Sequence, residues 1–163
     1  MPADSPPRSD AAVRPELAVT WLPLLREALE RDGQFRLPLH GTSMRPTLPV
    51  ACDIVIIPLP TRPQLGSLIV FAQQDALVAH RLVRRAPDRW VAQGDGRLGP
   101  DPALRPEQVL GLVAAAHADG RQIWPGRLER AAASFWVARH YALAAAIRLR
   151  RAVVRRLRGR RPA

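Results

Sequence analysis

From residue 34 to residue 124 the chain is cut into short runs rich in Val, Ile and Leu, with almost no room for helices between them. The runs span 34–40, 53–58, 67–72, 76–84, 89–93 and 109–118, and 121–124 adds one more after the Asp119-Gly120 turn. Turn-forming stretches separate them: Pro58-Leu59-Pro60, Pro63-Gln64-Leu65-Gly66, Gln73-Gln74-Asp75, Ala86-Pro87-Asp88 and a long loop over 94–106. Parallel neighbours need crossovers of about a dozen residues or more, so strands this close run antiparallel. The expected fold is mainly β, a twisted antiparallel sandwich or partly open barrel over residues 34–125.

The flanks read differently. Residues 1–14, built of Pro, Ala, Ser, Asp and Arg, read as a disordered leader. Within 15–33, Trp21, Leu22, Leu24, Leu25, Ala28 and Leu29 recur at helical spacing. Thr20 is the expected cap, Pro23 falls in the first turn, and Asp32-Gly33 ends the helix. One short helix excludes a DNA-reading helix-turn-helix, which needs two. Residues 126–163 read as a basic amphipathic helical tail. Its apolar part, 131–147, is interrupted by Ser134, Arg139, His140 and Tyr141, and arginines crowd the segment that follows.

Charge and cysteine content narrow the chemistry. All 25 basic residues are arginine and the net charge is +11. No lysine is present to serve as a general base or Schiff-base amine. A single cysteine, Cys52, rules out an internal disulfide and fits a reducing compartment. No secretory signal and no run of about 18 uncharged apolar residues is visible. The expected location is cytoplasmic, peripheral on the inner membrane face where the tail meets lipid.

One stretch stands out chemically: Gly41-Thr42-Ser43-Met44-Arg45-Pro46-Thr47-Leu48. Gly41 permits a sharp turn and Pro46 stiffens the far side, so the Ser43 hydroxyl between them is oriented. Orientation and an adjacent base are what a weak nucleophile needs. The plainer reading of the same residues is a strand-to-turn junction with a capping serine. Three further stretches follow: Leu65-Gly66-Ser67-Leu68-Ile69-Val70-Phe71, then Leu77-Val78-Ala79-His80-Arg81-Leu82-Val83, then Gln93-Gly94-Asp95-Gly96 with Asp101.

In this order and spacing, over about residues 34–114, the stretches resemble the type I signal peptidase and SOS-repressor superfamily of serine peptidases. Many members use a serine–lysine dyad. Here His80 stands where the lysine would fall, which resembles the endoplasmic-reticulum and archaeal signal peptidases that combine serine, histidine and aspartate. The resemblance implies Ser43 as nucleophile, His80 as general base and an aspartate that orients the imidazole. Asp101 is favoured for that role, with Asp95 as a nearby support. Some relatives place a serine hydroxyl two residues before the nucleophile as an oxyanion donor. Gly41 occupies that place, so backbone N–H groups of Ser43 and of the Gly41–Thr42 turn are the expected donors, with the Thr42 hydroxyl as a substitute. Gly41, Thr42 and Met44 are the expected substrate and oxyanion residues.

The other residues read more plainly. A histidine that shares a strand face with Val78 and Leu82 is often a hydrogen-bonded core residue. His40 is a rival base by sequence proximity alone. His117 and His140 read as surface or tail residues, and with Cys52 they show no metal-ligand spacing, so no metal or cofactor is expected. Cys52 takes a place where the family has a glycine before aspartate, which implies a rebuilt turn. Arg81 reads as the partner of a loop carboxylate.

The family implies a peptide or preprotein substrate held as an extended strand, with small side chains just before the cleaved bond. The leader of a locally encoded peptide is an equally open substrate. Two other readings stand beside this one. A self-cleaving regulatory protein would need an internal scissile bond ahead of the serine. A non-catalytic β-domain would deliver its arginine tail to membrane or nucleic acid. Trp136 and Tyr141 favour an anionic lipid surface for that tail over nucleic acid.

Overall fold

Short runs of strand-forming residues set the sheet, and the computed structural model describes residues 15–73, 76–126 and 129–158. The leader expected at 1–14, Leu128 of the tail and residues 159–163 lie outside the described residues, as do the side chains of Thr20, Trp21 and Val153. The strands are β1 (Phe35–His40), β2 (Ala51–Ile57), β3 (Leu68–Gln73), β4 (Ala76–Arg85), β5 (Trp90–Gln93), β6 (Val109–Ala118) and β7 (Arg121–Trp124). Helix α1 (Pro15–Asp32) precedes them and α2 (Glu129–Arg158) follows.

The strands form one open antiparallel sheet in the order β1-β2-β6-β3-β4-β5, with β7 paired to β6. The expectation of a mainly β, antiparallel fold holds. The sandwich alternative is corrected, because hydrogen bonding is continuous across the sheet. The reason is β6, which pairs with β2 along one edge and with β3 and then β7 along the other. The β1–β2 hairpin and the β3–β4–β5 meander are joined only through this strand. Bulges at Val55/Ile56, Val70/Phe71, Leu82/Arg84 and Ala116/His117 increase the local twist and curl of the sheet.

Both faces of the sheet are covered. On one face Leu37, Leu39, Ile54, Ile56, Leu68, Val70 and Val113 pack with Leu25 and Leu29 of α1 and with Met44 and Leu48 of the β1–β2 loop. On the other, Ile69, Phe71, Val78, Leu82, Trp90, Ala92, Leu104 and Val109 form a second cluster. β3 and β4 contribute to both, which is why their sequences are nearly continuous apolar runs rather than alternating ones. Burying each such Leu, Ile or Phe stabilises the fold by about 1.5–3 kcal/mol relative to exposure.

Two expectations at the N-terminus change. The helix starts at Pro15, so Thr20 and Pro23 lie inside it rather than at its cap and first turn. Proline at the first helical position has its φ preset, which favours the earlier start. Pro23 removes one intrahelical hydrogen bond, and the packing of Leu25, Ala28 and Leu29 offsets that loss.

β6 crosses β2 closely because Gly111 lacks a side chain. A Cβ there would stand 2.6 Å from Ile56 Cγ2 and 2.6 Å from the Ile57 carbonyl oxygen. Gly111→Ala should therefore destabilise the domain by about 2 kcal/mol, as overpacking does. The midpoint of urea unfolding measures this; an unchanged midpoint would refute the close packing of β6 on β2.

Candidate active site

The loop between β1 and β2 is closed at its base by the Gly41 N–H, which donates to the Val50 carbonyl at 2.8 Å. Gly41 has φ 132°, a conformation that favours glycine. Inside the loop the Arg45 N–H donates to the Thr42 carbonyl and the Leu48 N–H to the Met44 carbonyl, each at 3.0 Å. Met44 and Leu48 then fix the loop by inserting into the core, 2% and 1% exposed. Ser43 is held between these anchors. Its carbonyl also accepts the Gly96 N–H at 2.8 Å, which ties it to the turn after β5.

His80 sits on β4 on the face of Val78 and Leu82, fully buried, with its ring edge-on to Phe71 at 6.1 Å. Its Nε2 lies 2.7 Å from Ser43 Oγ and its Nδ1 lies 2.6 Å from Asp101 Oδ2. An ionised carboxylate only accepts, so Nδ1 carries the proton and the Nε2 lone pair faces the serine hydroxyl. Asp101 reaches this position because the loop after β5 folds back on that strand. The Asp101 N–H donates to the Ala92 carbonyl at 2.9 Å, and Leu104 and Trp90 exchange two backbone hydrogen bonds at 2.8 Å. Gly94 completes the enclosure. A Cβ at that position would stand 2.6 Å from the Ser43 carbonyl oxygen and 3.0 Å from His80 Nε2.

Asp95 turns the other way. Arg81, the strand neighbour of His80, points to the opposite face and donates from Nε and Nη2 to the two Asp95 oxygens at 2.9 and 2.8 Å. Its Nη1 donates to the Gly66 carbonyl at 2.6 Å and to Glu129 of α2 at 2.9 Å. Thr47 donates its hydroxyl to Asp95 Oδ2. Burial opposes the Arg81 charge, but Asp95 and then Glu129 outweigh it and hold the guanidinium above its ordinary range.

The first half of α2 is part of this neighbourhood. Arg139 donates to the Asp95 carbonyl at 3.2 Å, and His140 Nδ1 lies 2.6 Å from Gln93 Oε1. Gln93 Nε2 donates to the Arg97 carbonyl at 2.9 Å. A carbonyl only accepts, so the Gln93 amide must present N–H to Arg97 and oxygen to His140. His140 is therefore protonated on Nδ1. Burial, followed by the positive charge of Arg84, pushes its pKa below the usual histidine value.

The sequence-derived residues sort clearly. Ser43, His80 and Asp101 converge, whereas Asp95 pairs with Arg81 and not with the imidazole. His40 ends β1 exposed. The Met44 side chain faces the core, so only its backbone is available to a substrate. The N–H groups of Thr42 and Ser43 donate to nothing among the described residues, which leaves them open for an oxyanion. Cys52 lies inside β2 rather than in a rebuilt turn, and burial, with Asp53 second, pushes its thiol up to about 11. His117 is half-buried on β6. His140 is 8% exposed, not a surface or tail residue. Glu129, Arg139, His140, Gln93 and Thr47 were missed as parts of the site. A signal existed for two of them, since an adjacent Arg-His pair interrupts an otherwise apolar helix. Among the described residues, no three His, Cys, Asp or Glu converge as metal ligands.

His140 gives a pH prediction. Below about pH 6.5 the unfolded chain takes up a proton that the folded chain resists. Stability should fall as the pH drops below that value and level off below the lowered folded pKa. The melting temperature of the wild type should therefore fall more than that of His140→Asn between about pH 7.5 and about pH 5. Parallel slopes would contradict the buried neutral imidazole.

Comparison of the chain with protein-family models, curated proteins and solved structures returns no match.

Proposed function

We propose that the chain is a serine endopeptidase of the signal peptidase type, in the histidine-containing subclass. The observation that carries this reading is the line Ser43 Oγ, His80 Nε2, His80 Nδ1 and Asp101 Oδ2, with separations of 2.7 and 2.6 Å. Ser43 Oγ attacks an amide carbonyl while His80 Nε2 takes its proton. Asp101 stabilises the imidazolium and fixes its tautomer. The free N–H groups of Ser43 and Thr42 serve the oxyanion. The imidazolium returns its proton to the leaving amine, and a water activated by the same nitrogen releases the acyl group.

The substrate is an extended peptide. Among the described residues β1 pairs with β2 alone, and along its other edge residues 36–40 lead directly into the Ser43 loop. A peptide added along that edge brings its scissile bond to the serine by β-augmentation.

The distal half of α2 is the part of the enzyme that meets an anionic membrane surface. Among the described residues no helix is long and apolar enough to cross a membrane. Arg148, Arg150, Arg151 and Arg155 are exposed, interleaved with exposed Ile147, Leu149 and Val154. Arginines near an anionic leaflet contribute about 1 kcal/mol each, and the apolar side chains favour lipid over nucleic acid.

Two measurements test the reading. Ser43→Ala and His80→Ala should abolish peptide cleavage and fluorophosphonate labelling of a folded protein, and Asp101→Asn should lower turnover about a thousandfold or more. Full turnover in His80→Ala, or labelling at a residue other than Ser43, would overturn the assignment. Flotation with anionic vesicles should be lost when the four arginines are replaced by glutamine in the full chain. Equal flotation of that variant, or equal binding to neutral vesicles, would remove the helix from this role.

A further inference from the structure

Turn 94–97 is the piece of backbone on which the candidate site rests. Its Arg97 N–H donates to the Gly94 carbonyl at 2.9 Å, and its Gly96 N–H donates to the Ser43 carbonyl at 2.8 Å. Gly94 and Gly96 have no side chains because the Ser43 loop and His80 press against them. A Cβ on Gly96 would be 3.1 Å from the carbonyl oxygens of both Thr42 and Arg45. From inside, then, the turn is held by Ser43 itself.

From outside it is held by α2. The Arg97 carbonyl accepts from Gln93 Nε2 at 2.9 Å, and Gln93 is in turn fixed by His140 at 2.6 Å. Without His140, the Gln93 amide loses the partner that sets which of its ends faces Arg97. The fit is close on both sides, since Gln93 is 3% and His140 8% exposed.

We propose that His140 is a positioning residue for the Ser43 nucleophile: acting through Gln93, it fixes turn 94–97 against the Ser43 backbone and the His80 ring. This rests on the reading of Ser43 as the nucleophile. It makes the first half of α2 part of the catalytic apparatus rather than a tether. His140 is bonded to Gln93 and not to Ser43, His80 or Asp101, so its loss moves the nucleophile and base out of register without altering either.

The test compares His140→Ala, His140→Asn and Leu143→Ala in the full chain. Leu143 is a half-buried α2 residue one turn beyond His140 and outside the hydrogen-bond chain, so its truncation serves as the control for trimming a side chain on the same helix. Asn carries an amide N–H where Nδ1 stands and should restore the bond to Gln93. His140→Ala should lower kcat about tenfold or more at unchanged KM, because a small misplacement of reacting groups costs that much. His140→Asn should recover most of the loss, and Leu143→Ala should stay near wild type at a comparable drop in melting temperature. A second readout needs no catalysis: hydrogen exchange of the Gly96 and Arg97 amides should quicken about tenfold in His140→Ala relative to Leu143→Ala. Equal kcat losses in His140→Ala and Leu143→Ala, absence of rescue by asparagine, or equal exchange at Gly96 would each overturn the inference. If wild-type protein neither cleaves nor labels at Ser43, the serine reading fails, and the exchange data still decide whether His140 holds the turn.

Discussion

A buried guanidinium organises this molecule. Arg81 is fully buried, and an unpaired charge in that position would cost several kcal/mol. Its donors are met by Asp95 after β5, the Gly66 carbonyl before β3 and Glu129 at the start of α2. Three segments distant in sequence are thus obliged to meet at β4. Removing one partner would leave a buried charge partly bare, which typically costs about 3–5 kcal/mol. Asp95 cannot leave Arg81 without that cost, so the turn that carries it stays close to Ser43.

The division of labour between neighbours on β4 follows from strand geometry. Side chains alternate, so His80 and Arg81 face opposite sides. One is directed to a hydroxyl and a carboxylate suited to proton transfer. The other is directed to an ion pair that fixes the surrounding backbone. Two aspartates only six residues apart in sequence are separated in the same way: Asp101 by a loop that folds back on β5, Asp95 by the guanidinium on the opposite face.

α2 joins two physical roles. Its first half is packed closely enough that Gly66 has no room for a Cβ, which would stand 2.6 Å from Ala133 Cβ. Arg139, stacked 5.0 Å over the Trp136 ring, is drawn inward by its hydrogen bond to the Asp95 carbonyl, and His140 by its hydrogen bond to Gln93 at the end of β5. Beyond Ala144 the described side chains are exposed or half-buried, and their charge faces solvent. The arginines that give the chain its basic character and the residues that brace the site therefore share one continuous helix.

The sequence by itself determined the strands, their antiparallel sense and a short set of candidate residues: Ser43, His80 and two aspartates, Asp95 and Asp101. Short apolar runs with brief turns leave no room for the crossovers that parallel neighbours need, and the stretches around Ser43, His80 and the two aspartates stand out by residue type. It also determined that no lysine can serve as base. Tertiary structure decided the rest. Which aspartate meets His80 depends on backbone bonds from Asp101 to Ala92 and from Leu104 to Trp90, and no local propensity encodes those. The single open sheet depends on β6 entering between two hairpins, a long-range pairing that periodicity does not specify. The burial of His140 was hidden for the same reason. An Arg-His pair in an apolar helix reads alike whether it faces water or a glutamine, and only the docking of α2 on β4, fixed by the buried charge of Arg81, distinguishes the two.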